Sequence, residues 1–140
     1  MAISFSSENI QFKLKNASKI KKWIAKIAAS EKKEPGTIAY TFVDDETLLK
    51  MNKEYLKHNT LTDIITFDYT EKKEIAGEIF ISIDRVKDNA KKFETDFDQE
   101  LKRVIIHGVL HLCGYKDKKT SDAKTMRLKE EKALKIYSTL

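Results

Sequence analysis

The chain has 140 residues, of which 41% are hydrophobic and 35% are charged, and its formal net charge at pH 7 is +5. This length and composition predict one globular domain over residues 1–140 with its own core, and the basic charge suits a polyanionic partner without requiring one. The absence of a membrane-spanning run or a signal peptide pattern, together with the single cysteine, favours a cytoplasmic protein without an intrachain disulfide.

The first third of the chain alternates between strand and helix patterns. Ile3 and Phe5, and then residues 10–14, alternate apolar and polar side chains, which predicts one or two short strands. A helix capped by Asn16 or Ser18 should follow, because an apolar stripe then recurs at helical spacing. Residues 34–36, Glu-Pro-Gly, predict a break in the chain, and residues 37–43 predict the next strand.

The remaining elements predict a small mixed sheet. Asp44 or Asp45 should cap a second helix, and a polar loop over residues 58–63 leads to strands at 64–69 and 77–83. The short connection between those two strands makes them antiparallel, whereas helical connections make the earlier pairs parallel. Three more helices follow, and the fold class is therefore α+β, with about four strands, one of them antiparallel, and helices packed on the sheet.

The strongest chemical pattern is H-x-x-x-H-x-x-G-x-x-D on and after an apolar helix. His107 and His111 are four residues apart, so both imidazoles leave the same helix face. Gly114 should end the helix, and the following turn can bring Asp117 back towards the two rings. Two imidazoles and one carboxylate suit a catalytic zinc ion, which keeps a fourth position for water. The alternative is a pair of hydrogen-bonded histidines beside an apolar stripe.

Two neighbouring residues bear on the chemistry. Zinc peptidases of the H-E-x-x-H kind carry a glutamate after the first histidine, whereas Gly108 here cannot move a proton. A glycine within a helix costs about 1 kcal/mol relative to alanine, so Gly108 either allows close packing on the sheet or leaves open space above a metal. Cys113 lies between apolar residues and is expected to be a small core residue rather than a fourth ligand or a reactive thiol.

Three segments together resemble the YbeY-type endoribonucleases, which are metal-dependent rRNA maturation factors of bacteria. Residues 106–115, Ile-His-Gly-Val-Leu-His-Leu-Cys-Gly-Tyr, are similar to the family pattern H-G-x-L-H-L-x-G-Y-D-H. Asn52 to Tyr55 and residues 62–67, Thr-Asp-Ile-Ile-Thr-Phe, resemble L-N-x-x-Y-R and T-D-V-L-S-F. Residues 77–81 resemble G-D-I-x-I, and all three segments occur in the family's order and spacing.

The resemblance implies one zinc ion per chain, held by His107, His111 and the residue at the third ligand position, and cleavage of single-stranded RNA. It also implies rRNA and the ribosome as partners, in maturation of the 16S 3′ end and in ribosome quality control. Asp117 stands where the family usually has histidine, and a carboxylate is an acceptable zinc donor. Leu56 stands where the family has arginine, so other side chains would have to supply that positive charge.

The predicted site therefore combines the motif with nearby polar residues. Its catalytic residues are His107, His111 and Lys116, its metal ligands are His107, His111 and Asp117, and its substrate-binding residues are Thr62, Asp63, Lys57 and His58. The alternative for Thr62 and Asp63 is that they only cap the next strand, and the alternative for the lysines after the motif is that they form a solvated turn. Tyr115 either stacks on a base or covers the core. Two other functions stay open: an RNA- or ribosome-binding factor with a structural metal and little catalysis, and a metallohydrolase that acts on another substrate, such as a peptide.

Overall fold

The computed structural model describes residues 2–140, which form four strands and five helices. In chain order these are β1 (Ala2–Ser7), α1 (Ala17–Ser30), β2 (Glu34–Val43), α2 (Asp45–Tyr55), β3 (Ile64–Asp68), β4 (Glu74–Ser82), α3 (Ile83–Lys92), α4 (Phe97–Leu112) and α5 (Thr120–Ser138). The strands lie in the order β1-β2-β4-β3, with β1, β2 and β4 parallel and β3 antiparallel to β4. The predicted α+β fold with a mixed four-stranded sheet is confirmed.

Helix starts follow the expected capping chemistry in most cases. The carboxylate of Asp44 accepts a hydrogen bond from the Thr47 amide at 2.9 Å, and that of Asp96 accepts one from the Gln99 amide at 2.7 Å. Each bond satisfies one of the amides that a helix leaves unpaired at its first turn. Asn16 precedes α1 in a left-handed conformation, with φ of 58°, and its side chain makes no capping bond.

Two expectations for the first third of the chain are corrected. The break predicted at residues 34–36 does not separate two elements, because β2 begins at Glu34 and pairs there with β4. The structure shows only a shift in register between Pro35 and Ile38. Pro35 is tolerated because, among the described residues, β1 pairs with β2 from Thr37 onward. No strand on the β1 side of β2 therefore needs the N–H group that Pro35 lacks. Residues 8–16 form neither strand nor helix. Their alternating pattern arises because Phe12 and Leu14 pack on the core.

The main core lies on one face of the sheet. Ile38, Tyr40 and Phe42 of β2 are buried there, beside apolar residues of β1 and β4, under α1, α3, α4 and α5. The Tyr40 hydroxyl donates to the Ile105 carbonyl at 2.8 Å, which ties α4 to the middle of the sheet. On the opposite face, α2 buries Leu48 against Val43 and Ile65. Within residues 2–140, the helices all fall short of the length and apolar character that crossing a bilayer demands.

Candidate metal centre

The C-terminal half of α4 holds both motif histidines at the edge of the core. Leu101, Val104, Ile105, Gly108 and Leu112 form the buried stripe that the sequence predicts. His107 and His111 flank this stripe, and their side chains are 14% and 29% exposed. The two ring centroids are 4.6 Å apart. Packing of the stripe on the sheet therefore fixes the helix so that both imidazoles face one side.

A tight turn after α4 returns the chain to the histidines. The Tyr115 amide donates to the Leu110 carbonyl and the Gly114 amide to the His111 carbonyl, each at 3.0 Å. This pair of bonds is a Schellman motif, in which the residue after the helix takes a left-handed conformation, and Gly114 has φ of +106°. The reversal places Oδ2 of Asp117 3.2 Å from Nε2 of His107 and 3.6 Å from Nε2 of His111.

These three side chains fit a zinc ion. Their ligand atoms all lie within 4.8 Å of one another. A tetrahedron with metal–ligand bonds of about 2.0–2.1 Å has edges of about 3.4 Å, which matches the two distances from Asp117 to the histidines. The donor set of two imidazole nitrogens and a carboxylate oxygen is the one that catalytic zinc uses. Asp117 is 39% exposed, so a water molecule can reach the open side of the group.

Glu130 of α5 orients the first histidine. Its Oε2 lies 2.6 Å from Nδ1 of His107, and its side chain is only 3% exposed. Burial raises the pKa of the Glu130 carboxyl, but the hydrogen bond to His107 and the charge of Arg103 outweigh it and hold that pKa below its usual value. An ionised carboxylate can only accept a hydrogen bond, so Nδ1 carries a proton and Nε2 is the nitrogen that remains to bind a metal.

Arg103 joins this pair to the rest of the cleft. Its guanidinium donates to Glu100 through two nitrogens, at 3.0 and 2.6 Å, and to Oε1 of Glu130 at 3.1 Å. Its Nη2 also lies 3.8 Å from Oδ2 of Asp63. Glu100 and Glu130 are both buried, so the arginine charge compensates two carboxylates that would otherwise be costly to bury. The guanidinium is therefore mainly committed to the protein's own carboxylates.

The protonation states of two other groups suit a metal held by nitrogen and oxygen. Burial lowers the pKa of His111, and the nearby His107 lowers it further against the opposing effect of Asp117, which favours the neutral ligating form. Burial raises the pKa of the Cys113 thiol to about 11, so it stays protonated near neutral pH. Cys113 packs partly buried against the core, and its sulfur is outside the metal-binding group.

The group lies on a cleft of about 750 Å³ between β3, α4 and the turn that follows α4. Besides the three candidate ligands and the turn residues Gly114 and Tyr115, the cleft is lined by four residues singled out from the sequence: Leu56, Thr62, Asp63 and Lys116. Lys57 and His58 are exposed on the loop before β3, and neither lines this cleft. The cleft carries as many basic side chains, Arg103, Lys116 and Lys118, as acidic ones, Asp63, Asp68 and Asp117.

Asn52 organises the loop that leads into the cleft. Asn52 is buried, and its side-chain amide donates to the Thr60 carbonyl at 2.8 Å. Its backbone carbonyl accepts a hydrogen bond from the backbone amide of His58 at 3.1 Å. The Thr62 hydroxyl donates to the Ile64 carbonyl at 3.3 Å, as expected for a residue that shapes the start of a strand. Burial raises the pKa of Asp63, and the charge of Arg103 opposes this only in part.

Gly108 and Tyr115 have structural roles. A Cβ on Gly108 would come within 2.9 Å of Cδ1 of Ile79 and 3.2 Å of Cδ1 of Ile64, so α4 packs closely on the sheet at this point. The alternative of open space above a metal is wrong, because this side of the helix is buried. The Tyr115 hydroxyl donates to Oε1 of Glu31 at 2.6 Å, and the ring packs against the main core.

The sequence analysis missed Arg103 and Glu130, although each left a signal. Arg103 precedes His107 by four residues and therefore lies on the same helix face as the two histidines. This spacing indicates that Arg103 is part of the same site. Glu130 falls between Met126 and Ala133 in the buried stripe of α5, and a carboxylate in such a stripe needs a partner. Neither signal identifies the residue with which Arg103 or Glu130 interacts, because α4 and α5 are distant from each other in the sequence.

Comparisons with known proteins agree along nearly the whole chain. The family model described as Endoribonuclease YbeY matches residues 2–138. Proteins of that name from Flavobacterium johnsoniae and Flavobacterium psychrophilum are 51% and 50% identical over 135 residues, which cover 96% of this chain and of each relative. The solution structure of a Thermotoga maritima protein matches with a TM-score of 0.67 and 26% identity, over 96% of this chain and 88% of that one.

Proposed function

Because the chain belongs to the endoribonuclease YbeY family, we propose that it is a zinc-dependent endoribonuclease that cuts single-stranded RNA. One observation carries this proposal: Asp117 closes a three-ligand group with His107 and His111 on the wall of a cleft. We further propose that the protein acts in the cytoplasm on ribosomal RNA, in maturation of the 16S 3′ end and in ribosome quality control. These finer roles come from the family resemblance.

The metal site requires three side chains to act together. His107 and His111 would bind zinc through Nε2, and Asp117 through Oδ2. Bound zinc would lower the pKa of a water molecule to near 7 and polarise a phosphodiester oxygen. Glu130 keeps the proton of His107 on Nδ1, so the ring offers Nε2 without a competing tautomer. This part of the proposal makes Glu130 a positioning residue, because it acts through His107.

Two lysines beside the ligand group suit a phosphodiester. Lys116 and Lys118 line the cleft beside the ligand group, whereas the charge of Arg103 is already committed to Glu100 and Glu130. We propose that Lys116 stabilises the negative charge that develops on the phosphate oxygens. Thr62 and Asp63 lie on the β3 side of the same cleft and would contact the bound strand. The exposed loop residues Lys57 and His58 would contact RNA beyond the cleft.

The size of the cleft favours a single strand. Its volume of about 750 Å³ lies within the range of pockets that hold a small ligand, about 300–1,000 Å³. Such a cleft can take one extended strand with its bases unstacked, but it cannot enclose a duplex. Sequence-independent contacts to the phosphates would then dominate binding, and they weaken as the salt concentration rises.

Leu56 favours a second candidate function. This side chain lines the cleft at the position of the family's arginine and is 43% exposed, so the cleft lacks a cation at that point. A protein with a weakened site would bind RNA or the ribosome, with the metal serving mainly to fix the turn after α4. The two candidates differ in turnover, because a binding factor leaves its RNA intact.

The test is cleavage of a fluorescently labelled single-stranded RNA by protein that has been stripped of metal and then supplied with zinc. We expect cleavage with zinc, little without it, and a loss of roughly a hundredfold or more in His111→Ala, which removes one zinc ligand. Gln99→Ala is the matched control, because it truncates an exposed side chain on the same helix that lies outside the cleft. RNA that binds but stays intact in the zinc-loaded protein would support the second candidate instead.

The ribosomal role needs a separate test in cells. A strain without the gene should accumulate 16S rRNA with an unprocessed 3′ end, and wild-type protein should restore processing. His111→Ala should fail to restore it, although it should be present at a similar level. Normal 3′ ends in the deletion strain would overturn the proposed role in maturation without affecting the result for the purified enzyme.

A further inference from the structure

A second concave surface lies where residues 11–16 cross the N-terminal half of α4. This lysine groove has a volume of about 360 Å³ and shares no lining residue with the metal cleft. Its floor is apolar and consists of Phe12, Leu14, Ile20, Phe97, Leu101 and Ile105. Ile20, Leu101 and Ile105 are fully part of the core, whereas Phe12, Leu14 and Phe97 are only partly covered.

The rim of the lysine groove is basic. Lys13 and Lys15 are exposed, because they alternate with the inward Phe12 and Leu14, and Lys102 faces the groove from α4. Among residues 2–140, no carboxylate lies within 4.0 Å of these three ammonium groups. Asp98 is the one acidic residue among those that line the groove.

A fourth lysine concentrates positive charge beside the groove. The ammonium of Lys102 lies 4.2 Å from the ring centroid of Tyr137, and that of Lys19 lies 4.4 Å from the same centroid. The Tyr137 ring therefore makes a cation–π contact with each of the two ammonium groups. Two ammonium groups on one ring make this end of the groove positively charged, so the charge arrangement favours a negatively charged occupant.

We propose that the lysine groove binds an acidic, apolar segment of a partner protein. Two or three large apolar side chains of that segment would fill the uncovered floor beside Phe12, Leu14 and Phe97. Aspartate or glutamate residues on either side would meet Lys13, Lys15 and Lys102. This combination of an apolar centre and complementary charge at the rim is the usual anatomy of a protein interface.

The apolar floor of the lysine groove favours a protein segment over RNA as the occupant. Phosphate groups would satisfy the lysines, but they would leave the aliphatic part of the floor in contact with water. The lysines also rim a narrow groove, whereas a surface for RNA usually offers a longer basic stripe that follows the backbone. Because the metal cleft shares no lining residue with it, the lysine groove can be occupied while an RNA strand lies in the cleft.

The experiment starts from a random phage-displayed library of peptides of about twelve residues, selected on zinc-loaded protein. We expect the enriched peptides to combine large apolar residues with flanking acidic ones, and a fluorescein-labelled peptide of this kind to bind with a Kd of about 1–100 μM. Lys13→Glu/Lys15→Glu should weaken binding at least about tenfold, since it opposes the charge of the peptide. Lys22→Glu/Lys26→Glu makes the same charge change on exposed positions of α1 and should leave binding unchanged.

Further measurements separate the possible outcomes. Both double variants should unfold at the wild-type temperature, because the substituted lysines are exposed or largely exposed and lack ion pairs among the described residues. Serine in place of the apolar residues of the peptide should abolish binding. No enrichment of acidic apolar peptides, or equal binding to both double variants, would overturn the proposal. Displacement of the peptide from wild type by single-stranded RNA, together with weaker binding of that RNA to Lys13→Glu/Lys15→Glu, would also overturn the proposal and assign the groove to nucleic acid.

Discussion

The carboxylate of Glu130 on α5 lies 2.6 Å from Nδ1 of His107 on α4, on the side of the ring opposite the cleft. This contact holds the imidazole in one orientation and directs Nε2 towards Asp117. Carboxylate–histidine pairs of this kind typically change metal affinity by about 10–100-fold. Through this contact, Glu130 on α5 influences how His107 on α4 binds a metal.

The first prediction follows from this contact. Glu130→Gln keeps the shape of the side chain but removes the charge that favours the proton on Nδ1, so zinc should bind about 10–100-fold more weakly. Competition with a chromogenic chelator measures this affinity. Glu131→Gln, at the exposed neighbouring position, should bind zinc like wild type. Wild-type affinity in Glu130→Gln would show that Glu130 does not position the ligand.

The second prediction concerns Arg103. Arg103→Met removes the cation that compensates Glu100 and Glu130, and it should lower the free energy of unfolding by about 3–5 kcal/mol at pH 7. Urea denaturation measures this difference. Arg127→Met, on the exposed face of α5, should change stability by less than about 0.5 kcal/mol. A loss of less than about 1 kcal/mol in Arg103→Met would mean that water compensates the two carboxylates.

The third prediction tests the close approach of α4 to the sheet. Gly108→Ala gains about 1 kcal/mol of helix propensity but crowds Ile79, and overpacking of this kind costs about 1–3 kcal/mol, so a net loss of about 1 kcal/mol is expected. Ile79→Val removes the methyl group that lies 2.9 Å from the new Cβ. The double variant should therefore be at least as stable as Gly108→Ala alone, as thermal or urea unfolding will show. Independent, additive losses would contradict the packing role of Gly108.

The fourth prediction concerns acid stability. Burial raises the pKa of Glu31, but hydrogen bonds from Tyr115 and Lys129, at 2.6 and 3.0 Å, outweigh it and lower that pKa below 4.5. A lowered pKa contributes stability that is present above the unfolded value and is lost as the pH falls through the folded value. Glu31→Gln should cost about 1–2 kcal/mol at pH 7 and progressively less below about pH 4.5.

Urea unfolding at several pH values measures this difference. Glu34→Gln is the matched control, because Glu34 is exposed near the same end of α1 and makes no side-chain ion pair among the described residues. Its stability should follow the wild-type curve at every pH. If the difference in the free energy of unfolding between wild type and Glu31→Gln stayed constant down to acid pH, the result would contradict the role assigned to this carboxylate.

Local patterns were enough to predict the motif helix and its turn. A spacing of four places His107 and His111 on one face of α4 whatever surrounds them, and Gly114 takes the left-handed conformation that only glycine adopts freely. The orientation of the last two strands was also accessible, because the short connection between β3 and β4 makes them antiparallel. Each of these conclusions depends on residues that are close in the sequence.

The parts that were missed depend on partners that are distant in the sequence. Residues 34–36 look like a break, and whether Pro35 can join a strand depends on where β1 begins alongside it. Glu130 looks like an interruption of an apolar stripe until α5 is placed against α4, where His107 and Arg103 surround its carboxylate. The apolar pattern before α1 likewise reflects packing of Phe12 and Leu14 against the main core rather than a strand.

The most direct test of the central claim is the zinc content of purified protein, compared between wild type and Asp117→Ala by elemental analysis. We predict about one zinc per wild-type chain and a clear loss in Asp117→Ala, because removal of one of three ligands leaves only the two histidines. Lys118→Ala, one residue further along the same turn, should keep its zinc. Wild-type protein that holds no zinc even after the metal is supplied would contradict the proposed metal site.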